Sequence, residues 1–241
     1  MPMREPLRAR SSVFAFFTVA TLALIAVVAT ATPLPARGGE PGHLAVRASQ
    51  AHPDVVVFSW NGPIGKPMAK ELEKAFAKWK GRTRRVFLSL NSGGGSVREG
   101  EQVIAVLQQI RKTHRLDTSV RRGNTCGSMC VFIYLQGETR YGALSSTWLF
   151  HEVAYRDAVT KKVTRLDRHA WELLVDKYFR RAGVSEPWIA DMKPRTVGAN
   201  YWQTGADLVR TRSGIIHKPL GNQVARIVAQ PGATNAAAPA D

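Results

Sequence analysis

The chain has 241 residues, of which 44% are hydrophobic, and a formal net charge of +16. This length and composition suit one globular domain with processed or loose ends and do not suit a multidomain protein. The charge favours anionic partners, either nucleic acid or an anionic membrane or cell-envelope surface. The basic residues are scattered and no nucleic-acid module accompanies them, so we expect a basic solvated surface without specific nucleic-acid binding.

The N-terminal segment is typical of proteins that leave the cytoplasm. Residues 1–12 are basic, and residues 13–29 are apolar and uncharged. Ala29-Thr30-Ala31 then gives the small-residue pattern of a cleavage site. We expect residues 1–31 to be a signal peptide, with an uncleaved membrane anchor as the alternative. Both predictions place the rest of the chain outside the cytoplasm, in the periplasm or another extracytoplasmic location, and the second attaches it to the inner membrane through residues 13–29.

The remaining chain divides into a linker, a domain and a tail. Residues 32–52 are rich in proline, glycine and alanine and are predicted to be a linker, and residues 230–241 are predicted to be disordered. Within residues 53–229, apolar patterns predict strands at 55–60, 85–90, 116–120 and 148–150, and helices at 68–79, 96–111, 127–135, 166–182, 185–192 and 205–212. This alternation indicates a single α/β domain with a mainly parallel sheet and crossover helices.

Three short segments contain the residues suited to chemistry. They are the glycine loop Asn91–Ser96 (NSGGGS), the segment Cys126–Cys130 (CGSMC) and the segment Phe150–Glu152 (FHE). A glycine loop offers bare backbone N–H groups, a serine at a helix start offers a nucleophile, and a histidine at a strand end offers a base. The first two segments follow strands of the predicted parallel sheet, where ligands bind. The set predicts a serine hydrolase.

Each motif also has a plainer interpretation. Ser128 suits the cap of a buried helix, and His151 on its own suits a structural role. The glycine loop suits a phosphate loop, although no Lys-Ser/Thr pair follows it. These alternatives stay open at the level of the sequence.

The two cysteines of the chain lie four residues apart, at Cys126 and Cys130. An exported protein with one close pair favours a disulfide, and two buried free thiols are the alternative. In an ideal helix this spacing puts the Cα atoms near the upper limit for a bridge, so we expect a helix start or a distorted turn. Two sulfurs without a nearby partner make a poor zinc site, so neither a metal nor a cofactor is expected.

In order and spacing, residues 54–217 resemble the ClpP/crotonase superfamily, and most of all its exported, ClpP-like branch. The string LNSGGGSVREG is similar to the family's NSPGGS segment and the helix after it, with Gly93 in place of the proline. CGSMC lies where ClpP-type serine peptidases carry their nucleophile, and residues 140–151 resemble the segment that leads to the catalytic histidine. The resemblance implies a ClpP/crotonase-like fold built from crossover ββα units.

The resemblance also implies residue roles. Ser128 would be the nucleophile and His151 the base. The backbone N–H groups of Gly95 and Met129 would form the oxyanion hole, and Gly93 and Gly94 would bind substrate.

The third catalytic position departs from the family pattern. The family has an acidic residue shortly before an aromatic-x-Ser/Thr stretch, and the matching residue here is Asn200, before Trp202-Gln203-Thr204. An asparagine can orient a histidine but cannot stabilise an imidazolium as a carboxylate does. Asp191 and Asp207 are the nearby alternatives.

These observations predict an exported serine peptidase that acts on a peptide or protein substrate without an ATPase partner. The resemblance implies a homo-oligomer. The alternative is a catalytically weak or inactive ClpP-like scaffold or binding protein of the cell envelope, because Asn200 lacks the family's charge. Acyl-CoA chemistry of the crotonase type is a third hypothesis, disfavoured because export removes the chain from the CoA pool.

Overall fold

The computed structural model describes residues 41–50, 52–160 and 162–228. They form an α/β fold around a six-stranded sheet in the order β1-β2-β3-β4-β6-β11. Its strands are β1 (His43–Ala48), β2 (Val55–Asn61), β3 (Arg85–Asn91), β4 (Arg115–Val120), β6 (Thr139–Gly142) and β11 (Lys218–Pro219). All run parallel except β1, which pairs antiparallel with β2 at the sheet edge. The predicted mainly parallel α/β fold is therefore confirmed.

Crossover helices connect the parallel strands. Helix α1 (Pro67–Trp79) joins β2 to β3 and buries Met68 and Leu72. Helix α2 (Val97–Arg111) joins β3 to β4, and Ser96 caps it by accepting a hydrogen bond from the Glu99 N–H. The six N-terminal residues of β2 are all buried, as expected for a strand covered on both faces.

Two smaller sheets flank this core. One has the order β10-β7-β5, and the other is the antiparallel pair β8–β9. Their strands are β5 (Thr125–Gly127), β7 (Thr147–Phe150), β8 (Val153–Arg156), β9 (Val163–Asp167) and β10 (Tyr201–Thr204). The remaining helices are α3 (Met129–Tyr134), α4 (Arg168–Leu174), the π-helical turn Val175–Phe179, α5 (Glu186–Arg195), α6 (Gly205–Arg210) and α7 (Asn222–Val228).

An aromatic cluster holds helix α3 in place. Phe132 of α3 contacts Trp171, Tyr178 and Phe179, with ring centroids 5.4–5.7 Å apart. Such pairs stabilise a core beyond the area that they bury. Helix α4 and the π-helical turn therefore pack against the middle of α3, one turn after the serine motif.

Two sequence predictions are wrong in part. Residues 43–48 of the predicted linker form β1, an edge strand whose side chains are exposed or only half-buried, so it lacks a strong apolar pattern. The predicted helix 166–182 begins only at Arg168, because Asp167 ends β9 and caps α4 through the Ala170 N–H. The predicted signal or anchor at 1–31 and the predicted tail at 230–241 lie outside the described residues. Within the described ranges, no helix is long and apolar enough to cross a membrane.

Candidate active site

Ser128 lies at a sharp turn between β5 and α3. Its φ of 52° and ψ of −125° fall where residues other than glycine are uncommon. It precedes α3 without forming a side-chain cap, so its hydroxyl is not used to satisfy the helix. Unusual backbone conformations of this kind cluster at functional sites. The geometry favours a presented nucleophile over a structural cap.

A disulfide joins Cys126 of β5 to Cys130 of α3, as the sequence predicts. The two Cα atoms are 5.3 Å apart, and both residues are fully buried. The alternative of two free thiols is therefore wrong. The bridge spans the turn that carries Ser128, which lies midway between the two cysteines in the chain.

The glycine loop lies directly against this turn. A Cβ atom added to Gly94 would stand 2.6 Å from the Ser128 Cβ and 2.8 Å from the Gly127 carbonyl oxygen. The Ser92 N–H donates to the Thr125 carbonyl at 2.7 Å, and the Gly127 N–H donates to the Ser92 carbonyl at 2.9 Å. The two motifs that the sequence placed at one sheet edge are thus in contact.

The two backbone N–H groups predicted as oxyanion donors have no backbone acceptor within the described loops and turns. Beside Gly95, a parallel bridge uses the N–H groups of Ile64 and Ser96, at 2.8 and 3.0 Å, and leaves out the Gly95 N–H. Met129 is the first residue of α3, so its N–H has no intrahelical acceptor. Position 95 requires glycine, because its φ is +157° and a Cβ would lie 2.1 Å from the Ile64 carbonyl oxygen.

His151 follows the last residue of β7 and is half-buried. Its Nδ1 donates a hydrogen bond of 2.5 Å to the carbonyl oxygen of Glu152, which leaves Nε2 to act as an acceptor. Among the described residues, no hydrogen bond joins Ser128 Oγ to His151. Both side chains line the same cavity.

This cavity has a volume of about 820 Å³ and brings together the predicted residues Gly93, Gly95, Ser128, Met129 and His151. The rest of its wall is mainly apolar and includes Pro63, Val97, Phe132, Val153, Trp171 and Leu174. In the described part of the chain, no group of three or more His, Cys, Asp or Glu side chains is placed to hold a metal ion. A serine, a histidine and two backbone N–H groups thus border the same cavity.

Asn200 lies beside His151 by strand register, because the next residue, Tyr201, pairs with Phe150 across β10 and β7. Its side chain is exposed and makes no hydrogen bond with the described residues.

The alternative carboxylates are engaged elsewhere. Asp191 binds Arg195 at 2.9–3.0 Å, and this hydrogen bond lowers the pKa of Asp191. The Thr204 hydroxyl and then Arg210 lower the pKa of Asp207 to about 2 within the cap of α6.

Sequence reasoning did not assign a role to Glu152. Its side chain is buried, and its Oε2 accepts a hydrogen bond of 2.9 Å from the Gly198 N–H. Its backbone carbonyl accepts the hydrogen bond from His151. Glu152 therefore fixes both the histidine ring and the loop that carries Asn200. In the sequence, the only signal for this role of Glu152 is its position next to His151, and its burial depends on the fold.

Comparison with known proteins supports the fold. No protein-family model matches the chain, and no curated protein matches its sequence. Among solved structures, the chain is similar to a ClpP1 point mutant from Listeria monocytogenes, with a TM-score of 0.53 and 16% sequence identity. The match covers 72% of this chain and 94% of that chain. At this identity the likeness shows a ClpP-like fold.

Proposed function

We propose that this chain is a serine peptidase in which Ser128 is the nucleophile and His151 is the general base. The observation that carries the proposal is the turn at Ser128, held at positive φ against the glycine loop and opening into the cavity that His151 also lines. A serine acts as a nucleophile only when a base takes its proton and donors stabilise the oxyanion. The proposal assigns the first role to His151 and the second to the Gly95 and Met129 N–H groups, all of which belong to residues that line this cavity.

In the proposed acylation step, Ser128 Oγ attacks the carbonyl carbon of the substrate and transfers its proton to His151 Nε2. The hydrogen on Nδ1 stays in its bond with the Glu152 carbonyl, which keeps Nε2 available. The tetrahedral intermediate collapses as the imidazolium returns the proton to the leaving amine. A water molecule then hydrolyses the acyl-enzyme by the same proton route.

The Gly95 and Met129 N–H groups would bind the oxyanion of the intermediate. The first belongs to the glycine loop, which contacts Gly127 and Ser128, and the second belongs to the next residue, the first of α3. Helix α2 buries Gly100 against the Met129 side chain, since an added Cβ at Gly100 would lie 2.2 Å from Met129 Cγ. This packing fixes the backbone of Met129 and so preorganises the donor.

The shape of the cavity favours an extended peptide over a compact ester. Residues 153–155 of β8 all line the cavity. Because successive side chains of a strand point to opposite faces, lining by consecutive residues means that the edge of β8, with its backbone groups, borders the cavity. Strand β9 pairs with one edge of β8, and no described strand pairs with the other. Residues 95–97 line the cavity as well. A peptide could therefore add as a strand, with main-chain hydrogen bonds providing affinity.

The proposal includes a location outside the cytoplasm and a homo-oligomeric assembly. The location is supported by the N-terminal sequence and by the buried disulfide, a bond that persists in oxidising compartments. The assembly is supported by the family resemblance of residues 54–217.

A catalytically weak scaffold or binding protein is the second candidate. It is favoured by the exposed amide at Asn200 and by the lack of a hydrogen bond between Ser128 and His151 among the described residues. If Ser128→Ala reproduces the phenotype of a complete deletion, the scaffold hypothesis fails.

Hydrolysis of an unfolded protein such as casein tests the peptidase proposal. The wild-type chain should release peptides, and Ser128→Ala should release none. The matched control is Ser145→Ala, which changes an exposed serine of the loop before β7 and should leave hydrolysis intact. Equal hydrolysis by wild type and Ser128→Ala would disprove the proposed nucleophile.

A further inference from the structure

One side of α1 forms a continuous basic face. Lys66, Lys70, Lys74 and Lys78 recur every four residues and are all exposed. Residues at this spacing lie on neighbouring turns, so the row extends over about 18 Å at ~1.5 Å per residue. We call these four lysines the α1 lysine face. The segment between α1 and β3 adds the exposed residues Lys80, Arg82 and Arg84.

Acidic residues of the described ranges balance the charges of this face only in part. No ion pair within residues 41–50, 52–160 and 162–228 includes a member of the α1 lysine face. Of the two carboxylates on α1, Glu71 accepts a hydrogen bond of 3.1 Å from the Leu44 N–H, and only Glu73 lies exposed among the lysines. Basic residues on other helices pair with acids, as Arg195 of α5 does with Asp191. The α1 lysine face is therefore free to meet an external anion.

A groove beside the face offers a place for an anionic group. It lies between α1 and α2 and has a volume of about 570 Å³. The α1 side of the groove carries Lys66, Lys70 and one carboxylate, Glu73, and the α2 side carries the amides of Gln102 and Gln109. The two ammonium groups outnumber the single carboxylate. Ammonium and amide N–H groups together suit phosphate oxygens.

The described chain begins next to α1, because the Leu44 N–H donates a hydrogen bond to the Glu71 carboxylate. Residues 30–42 separate it from the apolar stretch 13–29 and can span up to about 45 Å at about 3.5 Å per residue. An apolar segment and a polybasic patch are the two signals that together give stable membrane attachment.

From these observations we propose that the α1 lysine face docks the domain on a bilayer surface rich in anionic phospholipid. Lysines at i, i+4, i+8 and i+12 stay on one side of the helix, although the row turns slowly around the axis, so they can face one anionic surface together. Each acts as a point charge towards that surface. Single-stranded nucleic acid fits less well, because base stacking needs exposed aromatic rings and the two aromatic residues of α1, Phe76 and Trp79, pack against the core. Duplex DNA, which is bound through its phosphates, is the competing ligand in the test below.

Liposome sedimentation of the full-length chain tests the proposal. The apolar segment sets a baseline on phosphatidylcholine vesicles, and the lysine face should add binding when phosphatidylglycerol is included. The Lys70→Gln/Lys74→Gln/Lys78→Gln variant should lower the phosphatidylglycerol-dependent partition on the order of 100-fold at low salt, since each lysine contributes about fivefold. High salt should remove the same increment from the wild type.

A control variant removes the same charge elsewhere. Lys162→Gln/Lys218→Gln/Arg226→Gln changes three exposed cations outside α1 and should keep the wild-type partition. Equal loss in both variants would attribute binding to net charge and overturn the proposal, as would no loss in the α1 variant.

Displacement of the wild-type chain from the vesicles by duplex DNA at physiological salt would assign the face to nucleic acid instead. Hydrolysis of casein by the α1 variant is measured in parallel, so failure of docking is distinguished from failure of the proposed peptidase.

Discussion

The backbone N–H of Ser128 donates a hydrogen bond of 2.8 Å to the carbonyl oxygen of Leu149. Leu149 lies two residues before His151, and its neighbour across β5 and β7 is Gly127. The distance between the proposed nucleophile and base is therefore set by main-chain pairing and not by the two side chains. A change to either side chain should leave the other in place.

The disulfide is predicted to support both stability and the geometry of the turn. The bridge closes a five-residue loop, which restricts the unfolded chain and stabilises the fold by about 2 kcal/mol. Replacing Cys126 and Cys130 by alanine removes this restriction, so the melting temperature should fall by roughly 4–8 °C. Reaction of Ser128 with a fluorophosphonate should also slow, because the turn loses its brace. Calorimetry and labelling kinetics measure the two effects separately. An unchanged labelling rate in the folded variant would limit the bridge to a stabilising role.

Gly95→Ala is predicted to lower kcat about 100- to 1,000-fold, the usual cost of losing one oxyanion donor. The new Cβ would lie 2.1 Å from the Ile64 carbonyl oxygen, so the loop must move and carry the Gly95 N–H with it. Steady-state peptide hydrolysis measures the loss. Gly81→Ala is the matched control, because a Cβ there meets no atom within 4 Å. Wild-type kcat in folded Gly95→Ala would exclude this N–H from the oxyanion hole.

Asn200→Ala is predicted to reduce kcat/KM by less than about tenfold, whereas loss of an orienting triad residue costs about 10⁴. The physical reason is that the Glu152 carbonyl, and not Asn200, accepts the His151 Nδ1 hydrogen. The ratio of kcat/KM between wild type and variant shows whether the Glu152 carbonyl or Asn200 orients His151. A loss of about 1,000-fold or more would identify Asn200 as the orienting residue.

The sequence predicts those parts of the fold that have a strong local signal. The β-branched run of β2, the Ser96 cap of α2 and the disulfide of Cys126 with Cys130 all follow from residue type and spacing. Strand β1 was missed because its apolar alternation is limited to Leu44 and Val46, two half-buried residues of a largely exposed edge strand. The β8–β9 pair was missed because its side chains are largely exposed. These elements depend on neighbours that are distant in the chain.

In the candidate site, too, some residues have a sequence signal and others depend on tertiary structure. The residues that supply the proposed nucleophile, base and donors carry motif signals, and they meet around one cavity. The partner of His151 was not predictable, because a backbone carbonyl has no residue signature. The burial of Glu152 against Gly198 likewise depends on tertiary structure. The roles of Ser128, His151, Gly95 and Met129 stay predictions for the experiments above.

The most direct test of the central claim is mass spectrometry of the protein after reaction with a fluorophosphonate. The proposed mechanism predicts one phosphonyl adduct, on the peptide that contains Ser128, and none in Ser128→Ala. His151→Gln should react far more slowly, because the hydroxyl has lost its base. No adduct on the folded wild-type protein, or equal labelling of wild type and Ser128→Ala, would contradict the assignment of Ser128 as the nucleophile.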